Sequence, residues 1–593
     1  MVDLLTGVLV GVVLYTVIAM ALRARGYLPE YVKVTGPVMT IRTKRGRVFL
    51  DRLARHERFW RAWGNIGIGI ALVVMVLSGL VVVFAVLAVL SQPEGAAIES
   101  PQNVLVIPGV NEFLPLSAAV EIIFGLVVGL VVHEGGHGLL CRVEDIEIES
   151  MGIALFAFIP LGAFVEPDID DQENADRGAQ TRMFAAGITN NFAVAVVALV
   201  AIVFLVGFVS AVPGAPVGDT FDGSGAVEAD IASGDVITGI DGTPIHNGTH
   251  FDDVLAETPN EQVEVTRHDG EDVTVDRQLL IVGAVPELVG DISLGGDQQP
   301  RVQSVNGSVV ATEQQFASAV EDRPVASIET DRGNTEMPVG AYIFHVNPDG
   351  PLAEAGAPPG GELVVTQVDD TRVSNTSAFR EQLDGLSPGD TATIEAYVDG
   401  ERTTYEPTIG DSPALGIFME DGYSGMLFDD FGVDVYPAEE FLGALGGQQS
   451  VLGGGSLDLS SLSGILQYHL ELLVLPFATL ISGDMTYTFA GFTSDVTGFF
   501  VVEGPLSVFG GGVLVALSLL FWTWWINFNL AIFNCIPAFP LDGGHILRTS
   551  MASIASRLPT SYGHQLVTVV TVLVTLTMIG ALLVLIFGPL FLT

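Results

Sequence analysis

Six apolar runs, near residues 4–22, 65–91, 118–140, 184–209, 509–535 and 567–590, are each long enough to cross the roughly 30 Å of hydrocarbon in a bilayer. Backbone groups in that medium find no water, so segments of this kind must close their hydrogen bonds internally as helices. The expected fold class is therefore a polytopic α-helical membrane protein with about six transmembrane helices. A further apolar stretch, Leu462 to Ile481, contains His469, Glu471 and Pro476. It reads as interfacial or re-entrant, or as paired with a second short span, because one extra crossing would place residues 133 and 542 on opposite sides. The first run is longer than a signal-peptide core and has no basic segment before it, so it reads as a retained anchor.

Charge sets the orientation. The chain holds 24 Lys and Arg against 69 Asp and Glu, a formal net charge of -45. Yet Arg23, Arg25, Arg42, Arg45, Arg47, Arg52, Arg55, Arg58 and Arg61, with both lysines, crowd the interval between the first two runs. The positive-inside rule puts this Arg-rich loop (23–63) in the cytoplasm. The 92–117 loop and the long interval from about 210 to 505 are then external. Such an acidic balance excludes nucleic acid as a partner and suits a halophilic microorganism, in whose concentrated salt the self-repulsion is screened within a few Å. The two cysteines, Cys141 and Cys535, supply neither a disulfide framework nor a cysteine metal site.

The external interval from about 212 to 411 carries an internal repeat. Ile240-Asp241-Gly242-Thr243-Pro244-Ile245 is followed by Phe251, Val305-Asn306-Gly307-Ser308-Val309-Val310 by Phe316, and Val368-Asp369-Asp370-Thr371-Arg372-Val373 by Phe379, at one constant interval. Each copy predicts strand, tight turn, strand and an amphipathic helix led by Phe. Three Asn-x-Ser/Thr sequons begin at Asn247, Asn306 and Asn375 in the same interval.

The chemistry is concentrated in the membrane runs. His133-Glu134-Gly135-Gly136-His137 is an HExxH pattern, in which about 400° of helical turn sets both imidazoles on one face and the Glu beside them. It ends an otherwise apolar run from Ala118 to Val132, and ionisable groups at such depth are expensive and usually functional. A purely structural histidine pair would leave two mid-helix glycines unexplained at about 1 kcal/mol each; close approach of another backbone accounts for them. Two histidines leave zinc short of a ligand, since a catalytic site takes three protein ligands. The best third candidate is Asp542, in Asn534-Cys535-Ile536-Pro537-Ala538-Phe539-Pro540-Leu541-Asp542-Gly543-Gly544-His545. His545 is the rival ligand or a supporting residue, and Asn534 is a further possible supporting residue.

These motifs resemble the site-2 protease family of intramembrane metalloproteases. The resemblance rests on the HEGGH run, on the Asn534–Gly544 segment matching NxxPxxPLDGG, and on Ala186-Gly187-Ile188-Thr189-Asn190-Asn191-Phe192, where Ile188 replaces the proline of the family's GPxxN motif. It implies Zn2+ held by His133, His137 and Asp542, Glu134 as general base toward the attacking water, and Asn191 on the substrate backbone or the developing oxyanion. Substrates would be membrane proteins with a transmembrane helix. The stretch Ile148 to Val165 is expected to hold the unwound substrate by strand-edge pairing. The first and third copies of the external repeat resemble PDZ domains, which bind extended peptides.

The expected organisation is a two-helix extension (1–91), the first half of the protease core (118–209), a PDZ-like domain (215–289), a degenerate repeat (290–338), a second PDZ-like domain (339–411), a linker (412–503) and the second half of the core (504–593). The inserted block is thus α+β/β and extracytoplasmic. A non-catalytic scaffold would lack Glu134 or a ligand, a transporter would show inverted repeats of broken helices, and a soluble zincin would not carry its histidines on a membrane run. Membrane lipid is a further expected partner, facing the Arg-rich loop.

Overall fold

The computed structural model describes residues 4–592 except 92–105, 112–113, 158, 287, 296–297, 411–414, 451–454, 482–486, 495 and 558–561. Most of the 92–117 loop, expected outside, thus lies beyond the described residues. The chain forms two compact units, one of Met1–Ser210, Glu440–Thr497 and Val502–Thr593, the other of Ala211–Glu439 and Gly498–Val501.

The first unit is built on helices α1 (Leu4–Ala24), α2 (Lys44–Ala54), α3 (Glu57–Ser91), α4 (Ala119–Val143), α5 (Ile169–Asn174), α6 (Arg177–Val206), α7 (Gly511–Cys535), α8 (Asp542–Ala555) and α9 (Gly563–Leu592). Among the described residues five helices are long and apolar enough to cross a membrane: Glu57–Leu90, Leu116–Val143, Arg177–Val206, Gly511–Cys535 and Gly563–Gly588. The protein is a multi-pass membrane protein. The sixth expected span corresponds to α1, of which the described Val10–Ala24 is a shorter apolar helix. In the stretch 462–481 the helix Leu462–Val474 gives way to a tight turn at Leu475–Phe477, because Pro476 cannot donate to the ladder. Its Leu473 carbonyl accepts from Trp525 Nε1 on α7 at 3.1 Å.

The central helix of this unit is α7: 56% of its most apolar stretch is buried, against 11% for that of α9. Such contrast separates a helix walled by protein from one facing lipid. At 35 residues, α3 is about 52 Å long, more than the hydrocarbon thickness, and its first turns carry Glu57, Arg58 and Arg61. Arg61 donates to the Val143 carbonyl at 2.9 Å, while Arg61 and Arg182 both pair with buried Glu144. Ala71 and Met75 of α3 pack with Ala185 and Ile188 of α6, Ala531 of α7 and Ile546 of α8. Residues 57–91, expected in a separate extension, are therefore part of the core.

A four-stranded antiparallel sheet lies in the same unit: β1 (Val32–Thr35), β2 (Val38–Arg42), β3 (Ile148–Phe156) and β4 (Ile159–Pro167), in that order. Val38 pairs with Phe156, Ile41 with Ile153, and Gly152 with Phe164. The expected docking stretch is thus only half open: β2 covers one edge of β3, and β4 is the free edge.

In the second unit each repeat folds as its sequence predicts. The triplets are Val236–Ile240, Thr243–Pro244 and helix Gly248–Glu257; Val302–Val305, Ser308–Val309 and helix Glu313–Val320; Leu363–Val368, Thr371–Arg372 and helix Thr376–Asp384. Phe251, Phe316 and Phe379 are buried in three separate cores. The sequon asparagines have structural work: Asn247 and Asn375 cap their helices, and Asn306 sits in the tight turn at a positive φ of 53°. Segment 415–435, expected within a linker, instead closes two sheets. Ile417–Glu420 pairs with Ala341–Val346, and Val433–Val435 pairs with Ala215–Thr220. Between them, Arg277 grips Asp430 in a buried pair at 2.6 Å, and burial beside Asp430 pushes the Asp429 carboxyl up to about 7.

Candidate metal centre

Three helices deliver the polar groups. His133 and His137 lie one turn apart on α4, and their Nε2 atoms are 3.1 Å from each other. Asp542 opens α8, where an acidic residue is favoured by the helix dipole. Its Oδ2 lies 3.2 Å from His133 Nε2 and 3.3 Å from His137 Nε2. The Ile536–Leu541 turn, with Pro537 and Pro540, carries the chain back from the end of α7 and so brings residue 542 to the histidines. Among the described residues these three form the sole group of metal-ligating type within mutual reach.

The spacing fits a metal. Ligands about 2.0–2.1 Å from a tetrahedral zinc stand roughly 3.3 Å apart, which is the separation of all three pairs here. Asp542 Oδ2 is also buried without a properly directed hydrogen bond, the mark of an atom meant for another partner. His137 Nδ1 faces the Met183 carbonyl at 2.8 Å, which fixes the proton on Nδ1 and leaves the Nε2 lone pair toward His133 and Asp542.

Glu134 stands beside this group with Oε2 accepting from the Val165 N–H of β4 at 3.1 Å. That donor projects from the open sheet edge, so the sheet aims the carboxylate. Asn191, fully buried on α6, has its amide nitrogen 3.3 Å from His133 Nδ1 and its oxygen without a partner. His545 is not in the three-residue group; its ring stacks on Phe184 at 4.3 Å and meets Phe539 edge-on at 4.6 Å. Asn534 donates its amide back to the Leu530 carbonyl at 2.9 Å.

The structure separates the two glycines of HEGGH. A Cβ on Gly136 would lie 2.8 Å from the Ala186 carbonyl oxygen, whereas one on Gly135 would meet nothing within 4 Å. Backbone approach therefore explains Gly136 alone. Sequence reasoning missed Gly187, whose Cβ would fall 2.6 Å from His137 Nε2 and 2.8 Å from the His133 ring; the AGITNN run was the available signal. It also missed Trp63 on α3, whose Nε1 donates to Asn190 Oδ1 at 3.0 Å. The Asn190 amide nitrogen lies against Gly136, so α3 braces the α4–α6 contact at the level of the histidines.

In the zinc protease that these motifs imply, Trp63→Phe is expected to keep the metal and cleave several-fold more slowly, since a half-buried acceptor left without its donor costs up to about 1 kcal/mol. Zinc content and initial cleavage rate of the two proteins, compared side by side, check this. Equal rates would make α3 a passive anchor.

Comparison with known proteins bears on the whole arrangement. The family model of Peptidase family M50 matches residues 121–578, from the first turn of α4 to the middle of α9. A probable periplasmic serine endoprotease, DegP-like, of Halomonas elongata is 33% identical over 91 residues, 15% of this chain and 19% of that protein. An uncharacterized protein of Methanocaldococcus jannaschii is 26% identical over 193 residues, 32% of this chain and 48% of that protein. The chain thus spans about a fifth and about half of the length of these curated relatives. Because the family match takes in both helices that meet at the His–His–Asp group and most of the chain between and around them, the protein belongs to peptidase family M50, a family of membrane metalloproteases.

Proposed function

We propose that the protein is a zinc-dependent endopeptidase that hydrolyses peptide bonds within the transmembrane segments of membrane-anchored proteins. The observation that carries this reading is the tetrahedral spacing of His133, His137 and Asp542 beside Glu134, inside helices that are apolar outside the site. Zinc at that position would supply Lewis acidity, polarising a peptide carbonyl and making water nucleophilic near neutral pH.

The chain's own residues do the rest. Glu134 takes the proton of the attacking water on its carboxylate and returns it to the leaving amide nitrogen. The Val165 N–H holds that carboxylate in place. A neutral His133 that offers Nε2 to the metal carries its proton on Nδ1, so the oxygen of Asn191 is the atom that belongs against it. The Asn191 NH2 then turns to the open site as a donor to the oxyanion or the substrate carbonyl. A helical substrate must unwind to expose its carbonyls, and the free edge of β4 offers backbone partners to the unwound strand. The Arg-rich loop faces the cytoplasm and the repeat block the exterior, where its two PDZ-like copies take substrate segments or other peptides. The acidic balance suits a halophilic cell.

Chelation tests this reading. The full chain, reconstituted in molar salt with a model single-helix substrate, is expected to lose cleavage when zinc is stripped and to regain it when zinc returns. Cleavage that persists in a zinc-free sample overturns the reading.

A further inference from the structure

Two adjoining cavities beside α8 and α9 are left unused by the chemistry above. The first, of about 900 Å3, is lined by Arg177 at the start of α6, His545 and Arg548 on α8, and His564 on α9, with Thr549 and Ser556 adding hydroxyls. Glu173 is its one acidic wall residue. In a chain with 24 Lys and Arg against 69 acidic residues, two arginines against a single carboxylate around one space reverse the local balance of charge. Arg177 donates from Nη1 to the Ala552 carbonyl at 2.8 Å and to Ser556 Oγ at 2.9 Å, which fixes its guanidinium at the wall. The second cavity, of about 340 Å3, is bounded by Phe539 and by Val572, Thr575 and Leu576 of α9.

Arg548, His564, Val567 and Thr568 belong to the walls of both cavities, so the two adjoin, with arginines on the wall of one end and mostly apolar walls at the other. From His564 to Leu576 the apolar arm follows α9 for about 18 Å, over half the hydrocarbon thickness. Leu573 and Leu576 are largely exposed on this helix, which places the arm on the lipid-facing side. A soluble anion would use only the polar end, and a hydrocarbon only the other.

We propose that this paired cavity binds an anionic phospholipid. Its phosphate is taken by the guanidinium groups of Arg548 and Arg177, whose planar forks match phosphate oxygens, with His564 beside them. One acyl chain lies along α9 against Phe539. The Phe539 N–H donates to Thr575 Oγ1 of α9 at 3.3 Å, and Phe539 stands three residues before Asp542. An occupied site therefore ties the turn that delivers Asp542 to α9, which makes the lipid a structural partner of the metal centre.

The test uses the full chain recovered from vesicles of phosphatidylcholine with and without phosphatidylglycerol, washed free of bulk lipid and weighed by native mass spectrometry. Wild type is expected to retain phosphatidylglycerol and release phosphatidylcholine. Retention should fall about tenfold in Arg548→Gln/His564→Gln, the scale of losing a charge-assisted contact. A comparable fall is expected in Val572→Phe/Leu576→Phe, which fills the apolar arm. A circular-dichroism melt like that of wild type in lipid-free detergent shows that the fold is kept in both variants. The proposal is overturned if either variant retains lipid like wild type, if phosphatidylcholine is held equally, or if soluble glycerol phosphate displaces the lipid, which would make the chamber a site for free phosphate.

Discussion

Glu134→Gln should hold zinc at the wild-type level and cleave roughly 10²- to 10⁴-fold more slowly, the usual contribution of a positioned general base. Glutamine keeps the shape of the side chain, and its carbonyl oxygen can still accept from the Val165 N–H that now holds Glu134 Oε2 at 3.1 Å. The three residues proposed to hold zinc, His133, His137 and Asp542, are untouched. The variant therefore removes one function, proton acceptance, from an intact site. Single-turnover cleavage of the model substrate with zinc measured on the same sample gives both halves of the expectation. Cleavage at the wild-type rate would show that another group takes the proton.

The second large effect is expected from a single methyl group. Gly187→Ala puts a Cβ 2.6 Å from His137 Nε2 and 2.8 Å from the His133 ring, closer than real carbon contacts come. The α6 backbone cannot retreat easily, because Ile188 and Ala186 on either side are fully buried. The imidazoles must yield instead, and zinc affinity should drop by at least the roughly 10- to 100-fold seen when supporting groups of a metal site are lost. Competition against a zinc-sensitive dye reads that loss directly. Gly135→Ala is the matched control: its Cβ meets nothing within 4 Å, so zinc binding is expected to remain. If Gly187→Ala binds zinc like wild type, α6 is more yielding than its packing indicates.

The contrast between those two glycines shows how far the sequence could be read. Spacing alone placed His133, Glu134 and His137 on one helical face, and the need for a third ligand at equal depth singled out Asp542 from a distant proline-rich turn. The period of apolar runs likewise revealed the membrane helices, and the repeated strand–turn–strand–helix pattern revealed three small cores. These signals are local, because a few neighbouring residues carry each of them. What stayed hidden was pairing between distant segments. Nothing near Val38 announces that it will pair with Phe156, nor does Trp63 signal that Asn190 lies within hydrogen-bond reach. For the same reason Gly136 and Gly135 looked alike, and His545 looked like a rival ligand until its place between Phe184 and Phe539 was known. A likeness of sequence to HExxH fixes which atoms point together, not which neighbour presses on them.

The strand Val433–Val435 has a consequence for the order in which the protein can be made. It completes the sheet begun by Ala215–Thr220, so that partner emerges some two hundred residues later. At ribosomal rates of about 5–20 residues per second, the first sheet spends roughly 10–40 s with an unclosed edge. An unpaired strand edge is a template for wrong partners, and here it would lie beside two sibling repeats of similar shape. The acidic residues spread through this block give every nascent copy the same sign of charge, which keeps neighbouring chains apart during the interval. The order of synthesis, as well as catalysis, thus bears on how this chain is arranged.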